Sequence, residues 1–392
     1  MSRVILCRFG ELFLKSGNRK RFEAMLHQNM RRALDGVGGA RVEPVHGRVL
    51  VHLSDDESAT EAAARLQRVF GLVSISVATV VPSDMDAIGA AAVEVATREK
   101  DERHVTTFKI EARRSDKRFP LTSVDIAKKL GGVVIRATGL GVDVHKPQLS
   151  LGVEVATERA FVYGSELAAP GGLPVGISGR ALLLLSGGID SPVAGWLSAK
   201  RGLALDGLYF HSPPFIGEKS RDKVMSLGRI LHRWQALDSV IVVPFTETQQ
   251  KLRDAGPAEL AVVLYRRMMM RIADAIADQG RFDALVTGDN LGQVASQTIQ
   301  NLTTVEAAAR RLVLRPLVTY DKVETMALAR RIGTFDTSIL PFDDCCSLFV
   351  PIHPATAARI KDAEQAEANL DVAAEVAAAV SRAERVPMTR LP

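Results

Sequence analysis

Apolar and polar positions alternate in two distinct ways along this chain. Val4-Ile5-Leu6-Cys7 is a short continuous apolar run of strand length. Gly17 to Leu34 follows the period of a helix, with Phe22, Met25, Leu26, Met30 and Leu34 on one face. Two short strands are expected over Ala40 to Val45 and Arg48 to Leu53, then a helix through Ala62, Leu66 and Val69. Val73 to Val81 is rich in β-formers and leads to a helix over Met85 to Thr97. Val105 to Ala112 alternates as a strand, Leu121 to Thr138 is helical with Thr122 or Ser123 as its cap, and Leu149 to Val155 pairs with Ala160 to Tyr163 as a hairpin. Strand, helix, strand, strand, helix, strand is a ferredoxin-like order, so the front of the chain is α+β. Cys7 falls inside the first strand and is expected in the core.

Gly164 to Gly179, GSELAAPGGLPVGISG, carries neither period and is rich in glycine and proline, which predicts a domain boundary and a linker over residues 165–179. Beyond it the pattern changes. Strands are predicted at Ala181 to Leu185, Ala204 to Phe210, Ser239 to Pro244 and Asp283 to Thr287. They alternate with helices over Pro192 to Arg201, Lys219 to Trp234, Val262 to Ala277 and Asp321 to Ile332, which predicts a doubly wound parallel sheet. A further helix is expected just after Asn290, presenting Gln293, Ser296 and Gln297, and the alanine-rich stretch Ala355 to Val386 reads as one packing helix.

Within that second half, ALLLLSGGIDS at Ala181 to Ser191 is strand, glycine turn and helix start in immediate succession. Gly187 and Gly188 let the backbone bend and approach an anion, and the free N–H groups of the next helix favour one. Ser186 and Ser191 add hydroxyls, and the Asp190 carboxylate is placed to hold Mg²⁺ on a polyphosphate. Neither G-x-x-x-x-G-K-[ST] nor G-x-G-x-x-G occurs. Ligands in open α/β sheets lie beyond the carboxyl ends of the strands, where Tyr209, Phe210 and Gly288 fall. Arg266 and Arg267 lie side by side in an apolar helix that also carries Arg271, so at least one is expected to face the cleft. Gly288 permits close approach to a nucleotide, and the Gln297 amide both donates and accepts, which suits adenine or ribose.

SGGIDS resembles the PP-loop of N-type ATP pyrophosphatases, adenine nucleotide α-hydrolase-like enzymes that cleave ATP between the α and β phosphates and adenylate a carbonyl oxygen. Three more stretches narrow the resemblance: Gly10-Glu11 through Lys15-Ser16-Gly17-Asn18-Arg19, TGDNLGQVASQT at Thr287 to Thr298, and DDCCSLFVP at Asp343 to Pro351. Together they resemble the bacterial tRNA 4-thiouridine synthetases, also called tRNA sulfurtransferases, over essentially the whole chain. The resemblance implies an N-terminal ferredoxin-like domain at 1–57, a THUMP RNA-binding domain at 58–164 and a PP-loop thiolation domain at 180–392. It implies ATP and Mg²⁺ at Leu184, Leu185, Ser186, Gly187, Gly188, Asp190, Ser191, Tyr209, Phe210, Arg266, Gly288 and Gln297, with Arg266 favoured over Arg267. It also implies a catalytic cysteine in the pair Cys345-Cys346; Ser347-Leu348-Phe349 favours Cys346 and leaves Cys345 open. Asp343 and Asp344 beside it would raise the thiol pKa unless a cation or helix end compensates.

The expected reaction is ATP-dependent conversion of a uridine of tRNA, by resemblance the one at position eight, to 4-thiouridine. Arg113, Arg114, Lys117, Arg118 and Lys129 are the candidate contacts to tRNA phosphates. The sulfur donor implied is a cysteine desulfurase. The chain ends at Pro392 without room for the C-terminal rhodanese-like domain of some members, so a short form is expected and the route that regenerates the cysteine is open. Two other readings stay available: an amidating PP-loop enzyme that uses ammonia, and a non-catalytic tRNA-binding protein.

Composition adds limits. The 392 residues carry 50 basic and 45 acidic side chains, a net +5 that does not by itself argue for nucleic acid. The first fifty residues, however, hold ten basic against four acidic side chains, a distribution that suits a phosphate backbone. Three cysteines, two of them adjacent, make no disulfide framework and no zinc or iron–sulfur pattern. No apolar run reaches membrane-spanning length, so a soluble cytoplasmic protein is expected, with a homodimer among the possible oligomeric states.

Overall fold

The computed structural model describes residues 2–10, 17–45, 47–54, 58–342, 345 and 348–389. The chain divides into two compact units, Met1–Gly172 and Leu173–Pro392.

The first unit runs β1 (Ser2–Phe9), α1 (Arg19–Ala33), β2 (Arg41–Val45), β3 (Arg48–His52), α2 (Ser58–Leu66), β4 (Leu72–Pro82), α3 (Met85–Arg103), β5 (Thr107–Arg114), α4 (Ser123–Thr138), β6 (Gly141–Val142), β7 (Leu149–Val155), β8 (Arg159–Tyr163) and β9 (Leu167–Ala168). One sheet holds all nine strands, in the order β2-β3-β1-β4-β8-β7-β5-β6, with β9 on β4. β1 explains why its sequence is continuously apolar. Ile5, Cys7 and Phe9 enter the core under α1 and α2, whereas Val4 and Leu6 alternate into a second cluster with Phe161 and Tyr163. Cys7 is fully buried, and burial pushes its thiol pKa well up despite the neighbouring Arg8. The helices end where local chemistry directs. Asp84 accepts from the Asp86 and Ala87 amides to start α3, and Thr122, not Ser123, forms a capping box with Asp125 at α4.

The division expected at residue 57 is drawn differently. α2 contributes Ala62, Ala63 and Leu66 to the same core as β1 and α1, and β4 pairs with β1 along one edge and with β8 and β9 along the other. β4 therefore completes the ferredoxin-like part and opens the next. The expected linker is also ordered: Gly71 donates to Gly171 O and Ala169 to Val73 O, while Leu173 donates to Lys200 O and Gly176 to Gly202 O.

The second unit runs β10 (Arg180–Leu184), α5 (Asp190–Lys200), β11 (Ala204–His211), α6 (Glu218–Arg233), β12 (Leu237–Pro244), α7 (Thr246–Ala255), α8 (Ala261–Gly280), β13 (Ala284–Val286), α9 (Ile299–Glu306), β14 (Leu312–Leu314), α10 (Lys322–Ile332), α11 (Phe335–Ser338), α12 (Ile360–Glu367), α13 (Val372–Ser381) and β15 (Glu384–Pro387). Its sheet order is β14-β13-β10-β11-β12-β15. The first five strands are parallel and β15 closes the edge antiparallel. The strands are buried on both faces. Leu182, Leu208, Val243 and Leu285 share a core with Leu264, Met268 and Ile272 of α8. β10 lies at the switch of strand order, flanked by β11 and β13, so the loops after these strands define a crevice.

Two expected helices differ. Asn290 is not followed by a helix: Gly292 takes a φ of +76°, and a single 3-10 turn at Ala295–Gln297 precedes α9. The alanine-rich C-terminal stretch is not one helix. It breaks at Leu370-Asp371, where Asp371 caps α13, and its last residues pair with β12 as β15.

Candidate active site

The loop after β10 is organised by its own hydroxyls. The Ser186 amide donates to Ser191 Oγ at 2.8 Å, the two hydroxyls lie 3.1 Å apart, and the Gly188 amide donates to Ser186 Oγ at 3.2 Å. Ser338, on α11, donates to Gly188 O at 3.3 Å. Gly288, just past β13, meets this loop from the next strand: a Cβ there would sit 2.7 Å from the Ser191 nitrogen and 2.9 Å from the Asp190 carbonyl carbon. Only glycine allows that approach.

Above the loop opens a cavity of about 680 Å³. Leu184, Leu185, Ser186, Gly188, Asp190, Ser191, Tyr209, Phe210, Arg266, Gly288 and Gln297 all line it, and Cys345 stands on its wall. Gly187 is buried within the loop. Tyr209 stacks on His211 with ring centres 5.7 Å apart, and Phe210 packs edge-on against Phe245 at 5.2 Å, so both aromatics are braced where β11 reaches the cavity. The buried Gln297 Oε1 has no hydrogen-bond partner among the described residues, and it belongs to a side chain on the cavity wall. An amide oxygen in that state suits a ligand N–H.

Charge enters from three directions. Asp190, the first residue of α5, accepts from Lys322 Nζ at 2.9 and 3.0 Å and from Gln293 Nε2 at 3.0 Å. Lys322 is fixed by the helix it starts, where Asp321 and Glu324 form a capping box. The paired arginines of α8 separate as their 100° offset requires. Arg266 faces the cavity and donates to Ser296 O at 3.2 Å and to Asp289 Oδ1 at 2.5 Å. Arg267 turns inward, 1% exposed, with a two-pronged pair to Glu367 at 3.0 Å and a bond to Thr304 O at 2.7 Å. Asp289 is buried, which alone would raise its pKa. Arg266 and Arg315, with the Thr287 hydroxyl, outweigh that and hold the carboxyl below its ordinary value.

Cys345 is 6% exposed. Its carbonyl accepts from Gln249 Nε2 at 2.8 Å, and the Gln249 amide oxygen accepts from Ser212 Oγ at 2.9 Å. Cys346, with Asp343, Asp344 and Ser347, lies outside the described residues.

This geometry agrees with what known proteins show. The family model described as thiamine biosynthesis protein (ThiI) matches residues 176–372, the ThiI ferredoxin-like domain matches 4–76 and the THUMP domain matches 82–164. A probable tRNA sulfurtransferase of Moorella thermoacetica is 48% identical over 374 residues, 95% of this chain and 94% of that one. The chain belongs to the ThiI family of tRNA sulfurtransferases. A probable tRNA sulfurtransferase of Acetivibrio thermocellus is 40% identical over 392 residues and covers each chain completely. A 4-thiouridine synthetase, solved in complex with RNA and with bound ATP, superposes with a TM-score of 0.90 at 34% identity, over 99% of this chain and 100% of that one.

In this ThiI-family chain the first unit gathers only part of the expected basic cluster. Arg113 and Arg114 line a cavity of about 500 Å³ together with Arg8 and Arg48. There the buried Glu154 carboxylate takes Arg8 at 3.3 Å, Arg48, and the Tyr163 hydroxyl at 2.9 Å. Burial, followed by the neighbouring charges Arg8, Arg113 and Arg159, lowers the Arg48 pKa. Arg114 donates to Lys117 O and to Phe119 O, closing the turn after β5, and Arg118 forms a two-pronged pair with Asp116. Lys117 and Lys129 are exposed.

The sequence reading missed Lys322, Arg315 and Gln249, and did not foresee that Gln293 turns to Asp190. Lys322 carries no local signal, because its partner Asp190 lies 132 residues away.

Proposed function

We propose that this protein transfers sulfur to a uridine of tRNA at the expense of ATP, giving 4-thiouridine, and that the uridine is the one at position eight. The observation that carries the reading is the coincidence in one cavity of a phosphate loop, Ser186 to Ser191, and a cysteine thiol, Cys345. The relatives named as tRNA sulfurtransferases and the synthetase solved with RNA and ATP support it. An ammonia-using amidase would have no need of a thiol on that wall.

ATP fits with its phosphates over Gly188 and the start of α5, Arg266 beside them, and its adenine between the β11 aromatics and Gln297. Mg²⁺ fits as an ion carried in by the polyphosphate. Asp190 would hold it, shared with Lys322, and the ion would supply charge neutralisation on the phosphates. The uridine O4 attacks the α phosphorus and pyrophosphate leaves, so that a poor oxygen leaving group at C4 becomes AMP. A persulfide on the cysteine pair, loaded by a cysteine desulfurase, attacks C4 through its terminal sulfur and AMP departs. A second thiol then cleaves the sulfur–sulfur bond, forming a disulfide with the cysteine and leaving sulfur on C4. In the first unit, Arg8, Arg48, Arg113, Lys117 and Lys129 would contact tRNA phosphates. Arg114 and Arg118 would shape the loop that presents them. The protein would work in the cytoplasm.

The test is pyrophosphate release with and without tRNA, followed by mass spectrometry of the tRNA nucleosides after adding cysteine and a cysteine desulfurase. The expected result is tRNA-dependent pyrophosphate and one 4-thiouridine per tRNA at position eight. Pyrophosphate without thiolation in the complete mixture would sink the sulfur-transfer reading. In Cys346→Ser adenylation should survive while thiolation stops, and full thiolation by that variant would move the role to Cys345.

A further inference from the structure

Two buried polar side chains grip the chain around Cys345. Lys223, on α6, is 6% exposed, and its ammonium donates to Leu340 O at 2.8 Å and to Phe342 O at 3.4 Å. Gln249, on α7, is fully buried and donates from one amide nitrogen to Cys345 O at 2.8 Å and Leu348 O at 3.3 Å. These four carbonyls bracket the cysteine pair on both sides. Leu340 O also accepts from the Phe342 amide at 2.8 Å and Cys345 O from the Leu348 amide at 3.2 Å, so each side-chain donor adds a second bond that fixes where the backbone runs.

Burying an ammonium costs far more than burying an alkyl chain. Methionine at 223 or leucine at 249 would take these bonds away from the carbonyls while keeping an apolar filling of similar size. The donors also connect to the nucleotide side. Ser212, directly after β11, orients the Gln249 amide, and β11 supplies Tyr209 and Phe210 to the cavity. A continuous bonded path therefore runs from the strand that braces the nucleotide to the backbone of Cys345.

We propose that Lys223 and Gln249 are positioning residues for the sulfur-transfer step, holding the backbone at Cys345 on the cavity wall within reach of the activated uridine. This rests on the proposed function. Gln249 sets the backbone on either side of the thiols, and Lys223 sets the lead-in. Because α6 and α7 are not the elements that carry Asp190, Arg266, Gly288 or Lys322, activation and transfer are separable.

The experiment uses the full chain and the substitutions Lys223→Met, Lys223→Arg, Gln249→Leu and Gln249→Glu. The glutamate keeps the side-chain shape and the acceptor for Ser212 but removes the N–H donors. Three quantities are read: kcat and KM for tRNA-dependent pyrophosphate release, the rate of 4-thiouridine formation with cysteine and a cysteine desulfurase, and iodoacetamide labelling of each cysteine by peptide mass spectrometry. Methionine at 223, and leucine or glutamate at 249, should keep pyrophosphate release within about twofold and slow thiolation by about 10²-fold, the cost of an ångström-scale misplacement. Arginine at 223 should restore part of the rate.

Labelling of Cys345 should rise about tenfold as its segment opens, with Cys7 unlabelled as the internal sign that the fold is intact. Equal losses of pyrophosphate release and thiolation, or labelling of Cys7, would reduce both residues to structural supports and overturn the proposal, as would unchanged labelling of Cys345. Should the wild-type protein make no 4-thiouridine, the proposed function fails while the labelling still decides whether the grip exists.

Discussion

The Lys322 ammonium sits between both oxygens of Asp190, 2.9 Å from one and 3.0 Å from the other, joining helix starts 132 residues apart in sequence. Asp190 lines the cavity above the loop, where the proposed reading puts the nucleotide phosphates. A cation held there meets the negative charge that grows as pyrophosphate departs. Lys322→Met is expected to lower tRNA-dependent pyrophosphate formation by roughly 10²-fold, the scale for removing one preorganised charge stabiliser. Asp190→Ala should abolish it while tRNA binding persists. In a double-mutant cycle the two losses should be far from additive. Additive losses would mean that the two groups act independently.

The paired arginines of α8 separate function from stability. Arg267→Met leaves the buried Glu367 with Arg271 alone, and breaking such a pair costs about 3 kcal/mol. Urea unfolding should show that loss. Arg266→Lys keeps a charge beside Asp289 but loses the fork that fits a phosphate. It should raise KM for ATP by about tenfold with little change in the urea midpoint. The opposite assignment of effects would place the nucleotide contact on Arg267.

Gly288 tests the close approach of two loops. In Gly288→Ala the new methyl meets backbone atoms of Asp190 and Ser191 at 2.7 to 2.9 Å, which no side-chain rotation relieves. ATP affinity should fall by at least about tenfold in calorimetry, because the phosphate loop must shift. Gly217→Ala, where nothing lies within 4 Å, should bind ATP normally. Normal binding by Gly288→Ala would show that the loop tolerates the displacement.

Acid stability follows from two buried carboxylates. Burial pushes both Asp289 and Glu367 upward, but Arg266 and Arg315 in one case and Arg271 and Arg267 in the other reverse the sign, so both end below their ordinary values of 3.8 and 4.5. The unfolded chain then binds more protons than the folded one. The stability these groups confer is complete above the ordinary carboxylate range and is lost as pH falls through it toward the lower folded values. The part of the unfolding free energy that these two groups supply should be flat from pH 7 to about 5 and decline below that. Glu367→Gln should flatten the decline. An unchanged acid slope in that variant would remove Glu367 from the account.

What the sequence revealed depended on how local the information was. β10, its glycine turn and α5 were legible because apolar run, glycines and helix start are consecutive. Thr122 and Arg266 each emerged from a pair of neighbours that local pattern alone left open. A position one residue along a helix turns by 100°, and both arginines have apolar neighbours, so only packing against Glu367 and Thr304 decides which one faces in. Lys322, Gln249 and Lys223 act on partners about a hundred residues away and leave no local trace. The alanine-rich end misled because alanine suits a helix everywhere. The break at Leu370-Asp371 is marked only by a capping aspartate, and β15 exists because β12 offers it an edge.

The eleven-residue strand β4 has a consequence for how this chain can be divided. Being the last strand of one fold and the first of the next, it cannot be given to either fragment without stripping its hydrogen-bonding neighbour from the other. A cut on either side of residues 72–82 would expose a long row of unpaired amides and carbonyls, the template on which foreign chains stack into aggregates. The ferredoxin-like and THUMP parts are thus inseparable by truncation, and a grafting experiment that moves them to another enzyme must carry the whole of residues 1–172 as one cassette.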